Sequence, residues 1–214
     1  MTPDWLLYLI TDRRQLGAGS LPDAVAAAIR GGVRAVQLRE KDLPARRLLE
    51  LGRTLKALTA RTDARLLING RLDVMLALNA DGVHLRSDGL PVRAVRRVIG
   101  PDKWLGVSAH SREEVERAGT DGADFVTFGP VYDTPSKRGF GAPVGLEGLE
   151  AVCRSVRVPV YALGGVTRDR IPEVLAAGAR GVAMISEIMS SGDIFSATRA
   201  CLDAARAASS GQFG

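Results

Sequence analysis

Eight short β-branched or apolar runs, each followed by a segment of helical period, fill this chain from end to end. The runs are Leu6 to Ile10, Val33 to Leu38, Arg65 to Ile68, Gly82 to Leu85, Trp104 to Val107, Asp124 to Phe128, Val158 to Leu163 and Gly181 to Ile185. Helical spacing predicts Pro22 to Arg30, Pro44 to Thr59, Leu72 to Leu78, Pro91 to Val98, Arg112 to Ala118, Leu146 to Ser155, Arg170 to Ala177 and Ile194 to Ala207. Punctuation agrees with the periods. Ser111 followed by Glu114 has the capping-box spacing, prolines stand near helix starts, and Gly follows several helix ends. Eight β-then-α units with short connections predict a (β/α)8 TIM barrel over residues 1–214, a single α/β domain. An open doubly wound sheet would carry a Gly-rich fingerprint after its first strand, whereas here that strand runs into "TDRRQL".

Composition narrows the function classes. The net charge is +5, but the arginines are scattered along helical stretches with no basic block interleaved with aromatics, so nucleic-acid binding is not expected. The opening "WLLYLI" is six residues long without a basic leader, so it reads as a core strand rather than a signal or a membrane span. Cys153 and Cys201 are the only cysteines; their separation predicts two buried, inert thiols and a reducing, cytoplasmic setting.

In a barrel of this kind the chemistry lies where the strands end at their C-termini, because the βα loops converge there. After strand 2 come Gln37, Arg39, Glu40, Lys41 and Asp42; after strand 3, Asn69; after strand 4, His84; after strand 5, Ser108 and His110. Strand alternation sends Gln37 and Arg39 to the same side, into the barrel mouth, with Lys41 just beyond. A buried Arg needs a partner. That partner is either an internal carboxylate such as Glu40 or a polyanionic ligand, and the nearby cations Lys41, Lys137 and Arg138 favour a diphosphate. After strand 6 the loop "GPVYDTPSKRGFG" sets Thr134, Ser136, Lys137 and Arg138 among prolines and glycines. That is more donor chemistry than a turn requires. Gly164 and Gly165 after strand 7, with Ser186 after strand 8, fit a backbone phosphate cradle. Neither histidine has a carboxylate or thiol at metal-site spacing. His84 reads as a structural histidine and His110 as part of a helix start.

Seven stretches, "YLITDR", "QLREKD", "GVSAH", "GADFVTFGPVYDTPSK", "APVGLEGL", "ALGGV" and "GVAMIS", in this order, resemble the thiamine-phosphate synthase/TenI family. The resemblance implies a small (β/α)8 barrel that condenses hydroxymethylpyrimidine diphosphate with thiazole phosphate, releasing pyrophosphate. It implies catalytic roles for Arg39, Lys41, Ser108 and Lys137. Gln37, Glu40 and Asn69 would join them around the pyrimidine diphosphate, and Thr134, Ser136, Gly165, Ile185 and Ser186 would hold the thiazole phosphate. The implied partners are small phosphate and diphosphate substrates, not nucleic acid or membrane, in a chain compatible with a homo-oligomer.

Mg²⁺ is the cofactor that the resemblance implies, but its corner departs from the family pattern. The synthases read "NDR" after strand 3 and "HxGQxDLP" after strand 4, with the Asp of each motif holding the metal. Here "NGR" and "HLRSDGLP" put Gly70 and Gly89 at those positions. Asp88, one place early, is the metal-ligand candidate, with Asp73 as a second. TenI-type members, which tautomerise a thiazole carboxylate phosphate, also read "NGR". They carry a His where this chain has Pro130, however, and depart from "QLREK". Three readings stay open: a synthase, a TenI-like tautomerase, and a non-catalytic binder of thiazole or thiamine phosphate.

Overall fold

Parallel strands covered on both faces are expected to be unbroken apolar runs, because neither face meets water. A computed structural model describes residues 1–134 and 142–210. Its eight strands are β1 (Leu7–Ile10), β2 (Ala35–Leu38), β3 (Arg65–Asn69), β4 (Gly82–Leu85), β5 (Trp104–Ala109), β6 (Phe125–Phe128), β7 (Val160–Leu163) and β8 (Gly181–Met184). All pair in parallel in chain order, and β8 returns to β1 through Leu7↔Val182 and Leu9↔Met184. That last pairing closes the barrel and rules out the open sheet.

Between the strands lie α1 (Leu21–Gly31), α2 (Ala45–Thr59), α3 (Leu72–Leu78), α4 (Val92–Ile99), α5 (Arg112–Thr120), α6 (Gly145–Ser155) and α7 (Ile171–Ala176). A single turn, α8 (Ser186–Met189), and the long α9 (Ile194–Ser210) follow β8. The turn α8 is too short to carry a period, so spacing alone does not reveal it. The Ser111 hydroxyl accepts from the Glu114 N–H at 3.3 Å, as its spacing predicts. The Glu114 carboxylate does not return to Ser111, however; it accepts from the His110 N–H at 2.7 Å and so holds the rim residue before the helix.

Two cores result from strand alternation. Leu9, Val36, Leu66, Val83, Val126 and Val182 point outward and pack with the helices. Tyr8, Ala35, Leu67, Phe125, Tyr161 and Ala183 fill the barrel, with Trp5 beneath them. Trp5, Tyr8, Phe125 and Tyr161 meet mostly edge to face, with centroids 5.3 to 6.4 Å apart. So many rings fit only where the wall gives way. At Gly106 a Cβ would lie 2.4 Å from His84 Nδ1 and 2.5 Å from Phe125 Cζ. The barrel interior is therefore solid at its base, and its inward-facing polar layer opens toward the C-terminal rim. Cys153 and Cys201 sit against the outer core, and burial pushes both thiols up to about 11, as inert cysteines require. Among the described residues no helix is long and apolar enough to cross a membrane.

Candidate active site

One layer above the aromatic base, the inward positions turn polar. The residues are Gln37 on β2, His84 on β4, Ser108 on β5 and Thr127 on β6, joined by the phenol of Tyr8 on β1. Gln37 Nε2 donates to the Tyr8 hydroxyl at 3.1 Å, and that hydroxyl meets His84 Nδ1 at 3.3 Å. His84 Nε2 meets Ser108 Oγ at 3.1 Å and Thr127 Oγ1 at 3.3 Å. Tyr8 accepts from Gln37 and can give its own proton to His84 Nδ1, an arrangement that puts the imidazole proton on Nε2, toward Ser108. Burial, with the Arg39 charge as a lesser cause, pushes the His84 pKa down to about 3, so the ring is neutral at physiological pH. His84 is structural, as its sequence context suggests, and its structural task is to leave the Ser108 hydroxyl free to donate upward.

Above this layer lies a cavity of about 190 Å³ lined by Gln37, Arg39, Lys41, Asn69 and Ser108, with Arg86, Asp88 and His110 at its edge. Alternation along the end of β2 thus brings Arg39 and Lys41 to the mouth together with Gln37, as the residue spacing predicts. Among the described residues neither Arg39 nor Lys41 has a carboxylate in salt-bridge contact. Burial lowers the pKa of Arg39, and Lys41 is lowered by burial and by Arg39 and Arg86. Asp12 and Glu40 offset this only in part, and cations crowded together without a direct ion pair favour binding of an anion.

Glu40 is corrected by the structure. It neither pairs with Arg39 nor faces the cavity. Its buried carboxylate accepts from Thr11 Oγ1 at 2.8 Å, from the Arg13 N–H, and from Arg13 Nη1 at 2.9 Å. Arg13 also grips Asp42, which drives that exposed carboxyl well below the usual carboxylate range. Thr11 Oγ1 in turn accepts from the Arg39 N–H at 3.0 Å. Glu40 is thus the centre of a clip that ties the β1 loop to the end of β2 and sets the Arg39 backbone.

A second cavity, about 140 Å³, adjoins the first and shares Leu163 and Ile185 with it. Its wall is Thr134 from the β6 loop, Gly164 to Thr167 after β7, and Ile185 to Glu187 after β8. Gly165 has a φ of 66°, and a Cβ there would lie 2.7 Å from Tyr132 Cβ, so only glycine fits. Arg170 secures the turn by donating from Nη1 to the Gly165 carbonyl at 2.7 Å while stacking 4.2 Å over the Tyr132 ring. Thr134, Gly165, Ile185 and Ser186 are thereby brought together as expected. Ser136, Lys137 and Arg138 lie outside the described residues.

The metal corner offers Mg²⁺ fewer carboxylates than the family pattern does. The ion takes oxygen ligands in a near-octahedral shell and is anchored by one or two carboxylates plus substrate oxygens. Gly70 and Gly89 offer no side chain, and Asp73 is gripped by Arg71 with Nε to Oδ1 at 2.8 Å. Asp88, the one carboxylate among the described lining residues of the cationic cavity, is paired with Arg86 at 2.7 Å. Among the described residues no group of three or more His, Cys, Asp or Glu side chains is placed to hold a metal.

Sequence reasoning passed over Tyr8 and Arg86. Tyr8 was legible in the alternation of "YLI", which puts it inward with Ile10. Arg86 was legible as the residue standing where the strand-4 motif has a glycine.

A closed (β/α)8 barrel with a cationic cavity beside an amide-rich one, both at the C-terminal rim, has the architecture of a barrel enzyme. More particularly, the chain belongs to the thiamine monophosphate synthase family, whose model matches residues 7–188. It is 53% identical to a putative thiamine-phosphate synthase of Geobacter sulfurreducens over 93% of both chains. It is 47% identical to a thiamine-phosphate synthase of Roseiflexus castenholzii over 94% of this chain and 88% of that one. The solved thiamine phosphate pyrophosphorylase of Pyrococcus furiosus superposes with a TM-score of 0.86 at 36% identity, covering 95% of this chain and 96% of that one.

Proposed function

We propose that this chain is a thiamine-phosphate synthase, joining hydroxymethylpyrimidine diphosphate to thiazole phosphate and releasing pyrophosphate. One observation carries the reading: two adjoining cavities, one cationic and one amide-rich, meet at Leu163 and Ile185. Two phosphorylated substrates seated there point their uncharged ends at each other. Arg39 and Lys41 bind the diphosphate, while Gln37, Asn69 and Ser108 present polar groups to the pyrimidine ring. Thr134, Gly165, Ile185 and Ser186 receive the thiazole phosphate, and the motif adds Ser136 there and Lys137 on the departing pyrophosphate.

The chemistry asks the protein for charge stabilisation and placement. The methylene C–O bond breaks with its electron pair leaving on pyrophosphate, and the thiazole nitrogen lone pair forms the new C–N bond to the same carbon. Cations gathered at the leaving oxygen lower that barrier because the negative charge grows there. Holding the nitrogen in line supplies the rest. No step is routed through Mg²⁺, since both expected ligand positions are glycines, Gly70 and Gly89. A cytoplasmic setting and a homo-oligomer belong to the same reading.

The test is to incubate purified protein with both substrates and follow thiamine phosphate by thiochrome fluorescence, with and without Mg²⁺. Product formation that falls in Arg39→Ala supports the reading, and no product in either condition rejects it. Tautomer exchange of a thiazole carboxylate phosphate without condensation would move the chain to the TenI branch. Tight binding without turnover would make it a binding protein.

A further inference from the structure

We propose that Arg86 supplies the charge that a divalent cation would supply at the diphosphate, so that the anion binds and departs here without Mg²⁺. The inference rests on the synthase reading above and concerns one corner of its site.

Three observations converge. First, the two positions expected to anchor the ion are Gly70 and Gly89, which leaves Asp88 as the one carboxylate among the described lining residues of the cavity, and its partner there is Arg86. Second, Arg86 shares the cavity with Arg39 and Lys41, and its charge is felt at both, lowering their pKa values further. Third, the bond between Arg86 and Asp88 is an exposed one, with side chains 58% and 66% accessible. Such pairs are weak and exchange readily. A diphosphate offers the same guanidinium two planar, bidentate oxygen pairs and more charge than one carboxylate. Asp88 then acts as the resting counter-ion of Arg86, released when the anion arrives.

This assignment differs from a metal-ligand role in the sign of one mutation. A metal ligand helps the diphosphate bind, so removing it weakens binding. A counter-ion competes with the diphosphate for Arg86, so removing it strengthens binding.

Isothermal titration of inorganic pyrophosphate into wild type, Arg86→Ala, Arg86→Lys and Asp88→Asn, each in excess EDTA and in excess MgCl₂, tests it. Wild type is expected to bind in EDTA about as well as in Mg²⁺. Arg86→Ala should lose at least about tenfold in EDTA, the scale of one charged hydrogen bond. Arg86→Lys should recover part of that loss, and Asp88→Asn should tighten binding by a few-fold. Arg86 is solvent-exposed, so unchanged thermal midpoints for its variants would separate lost charge from lost folding. Wild-type binding seen only with Mg²⁺ and abolished by Asp88→Asn would overturn the inference while leaving the synthase reading intact. So would an Arg86→Ala that binds like wild type in EDTA. No pyrophosphate binding under either condition would remove the diphosphate site itself.

Discussion

The neutral His84 at the barrel's centre makes a prediction about acid that can be worked through in full. Its ring is 1% exposed, wedged between Tyr8 and the Ser108 and Thr127 pair, with a pKa held down at about 3. In the unfolded chain an ordinary histidine titrates near 6.5. Above about pH 6.5 both states hold the ring neutral and its contribution to stability is fully present. As pH falls below that, the unfolded state takes up a proton that the native state refuses. Stability then drops by about 1.4 kcal/mol per pH unit from this group alone. By pH 4 the loss reaches roughly 3 kcal/mol, a large share of a typical domain's stability. Exposed carboxylates held below their usual range, such as Asp73 beside Arg71, add slopes of the same sign near the acid end. A His84→Gln variant therefore provides the subtraction. It starts less stable, but its urea midpoint should fall less steeply between pH 6.5 and 4 than that of wild type. With only two histidines in the chain, the imidazole resonances of His84 are readily assigned, and they should not move down to pH 4. Equal slopes in the two proteins, or a His84 resonance titrating near 6.5 in the folded state, would refute the reasoning and with it the proton assignment at Ser108.

The remaining predictions concern single positions. Arg39→Met should weaken pyrophosphate binding by about ten- to a hundredfold, the scale of a charged hydrogen bond. Its thermal midpoint should not fall, because no described carboxylate loses a partner; calorimetric titration and a melting curve check both. Gly165→Ala should raise the KM for thiazole phosphate, with about 1–2 kcal/mol of destabilisation from the left-handed backbone. An unchanged KM would count against the second cavity. Gly106→Ala should cost about 1–3 kcal/mol by forcing His84 and Phe125 apart, read as a lower urea midpoint. Glu40→Ala should destabilise by about 1–3 kcal/mol, since the buried Thr11 hydroxyl loses its acceptor while Arg13 keeps Asp42. A melting temperature equal to wild type would return Glu40 to the ligand-binding set.

The barrel was legible because its cause is local. Each strand needs only a few apolar residues in a row, each helix only a face of the right period, and closure follows from repeating the unit eight times. Gln37, Arg39 and Lys41 were legible together for the same reason: a period of two carries from the end of β2 into the mouth. Glu40 was misjudged because its partner, Arg13, is distant in sequence and reaches it only after β1 and β2 pair through Ile10↔Gln37. Tyr8, His84 and Ser108 each look ordinary in their own strands, and the network exists only where three walls of the barrel face one another.

By itself, then, the order of residues determined the β/α repeat and the cations at the end of β2, since these depend on neighbours along the chain, whereas closure was sealed by Leu7 meeting Val182 across the whole sequence. Tertiary structure alone decided which charges stay free. Arg39 and Lys41 keep theirs, Glu40 surrenders its own to Arg13, and Arg86 sits with Asp88 where a metal corner was expected. A charge is cancelled by whatever lies within a few ångströms in space, and distance along the sequence does not measure that.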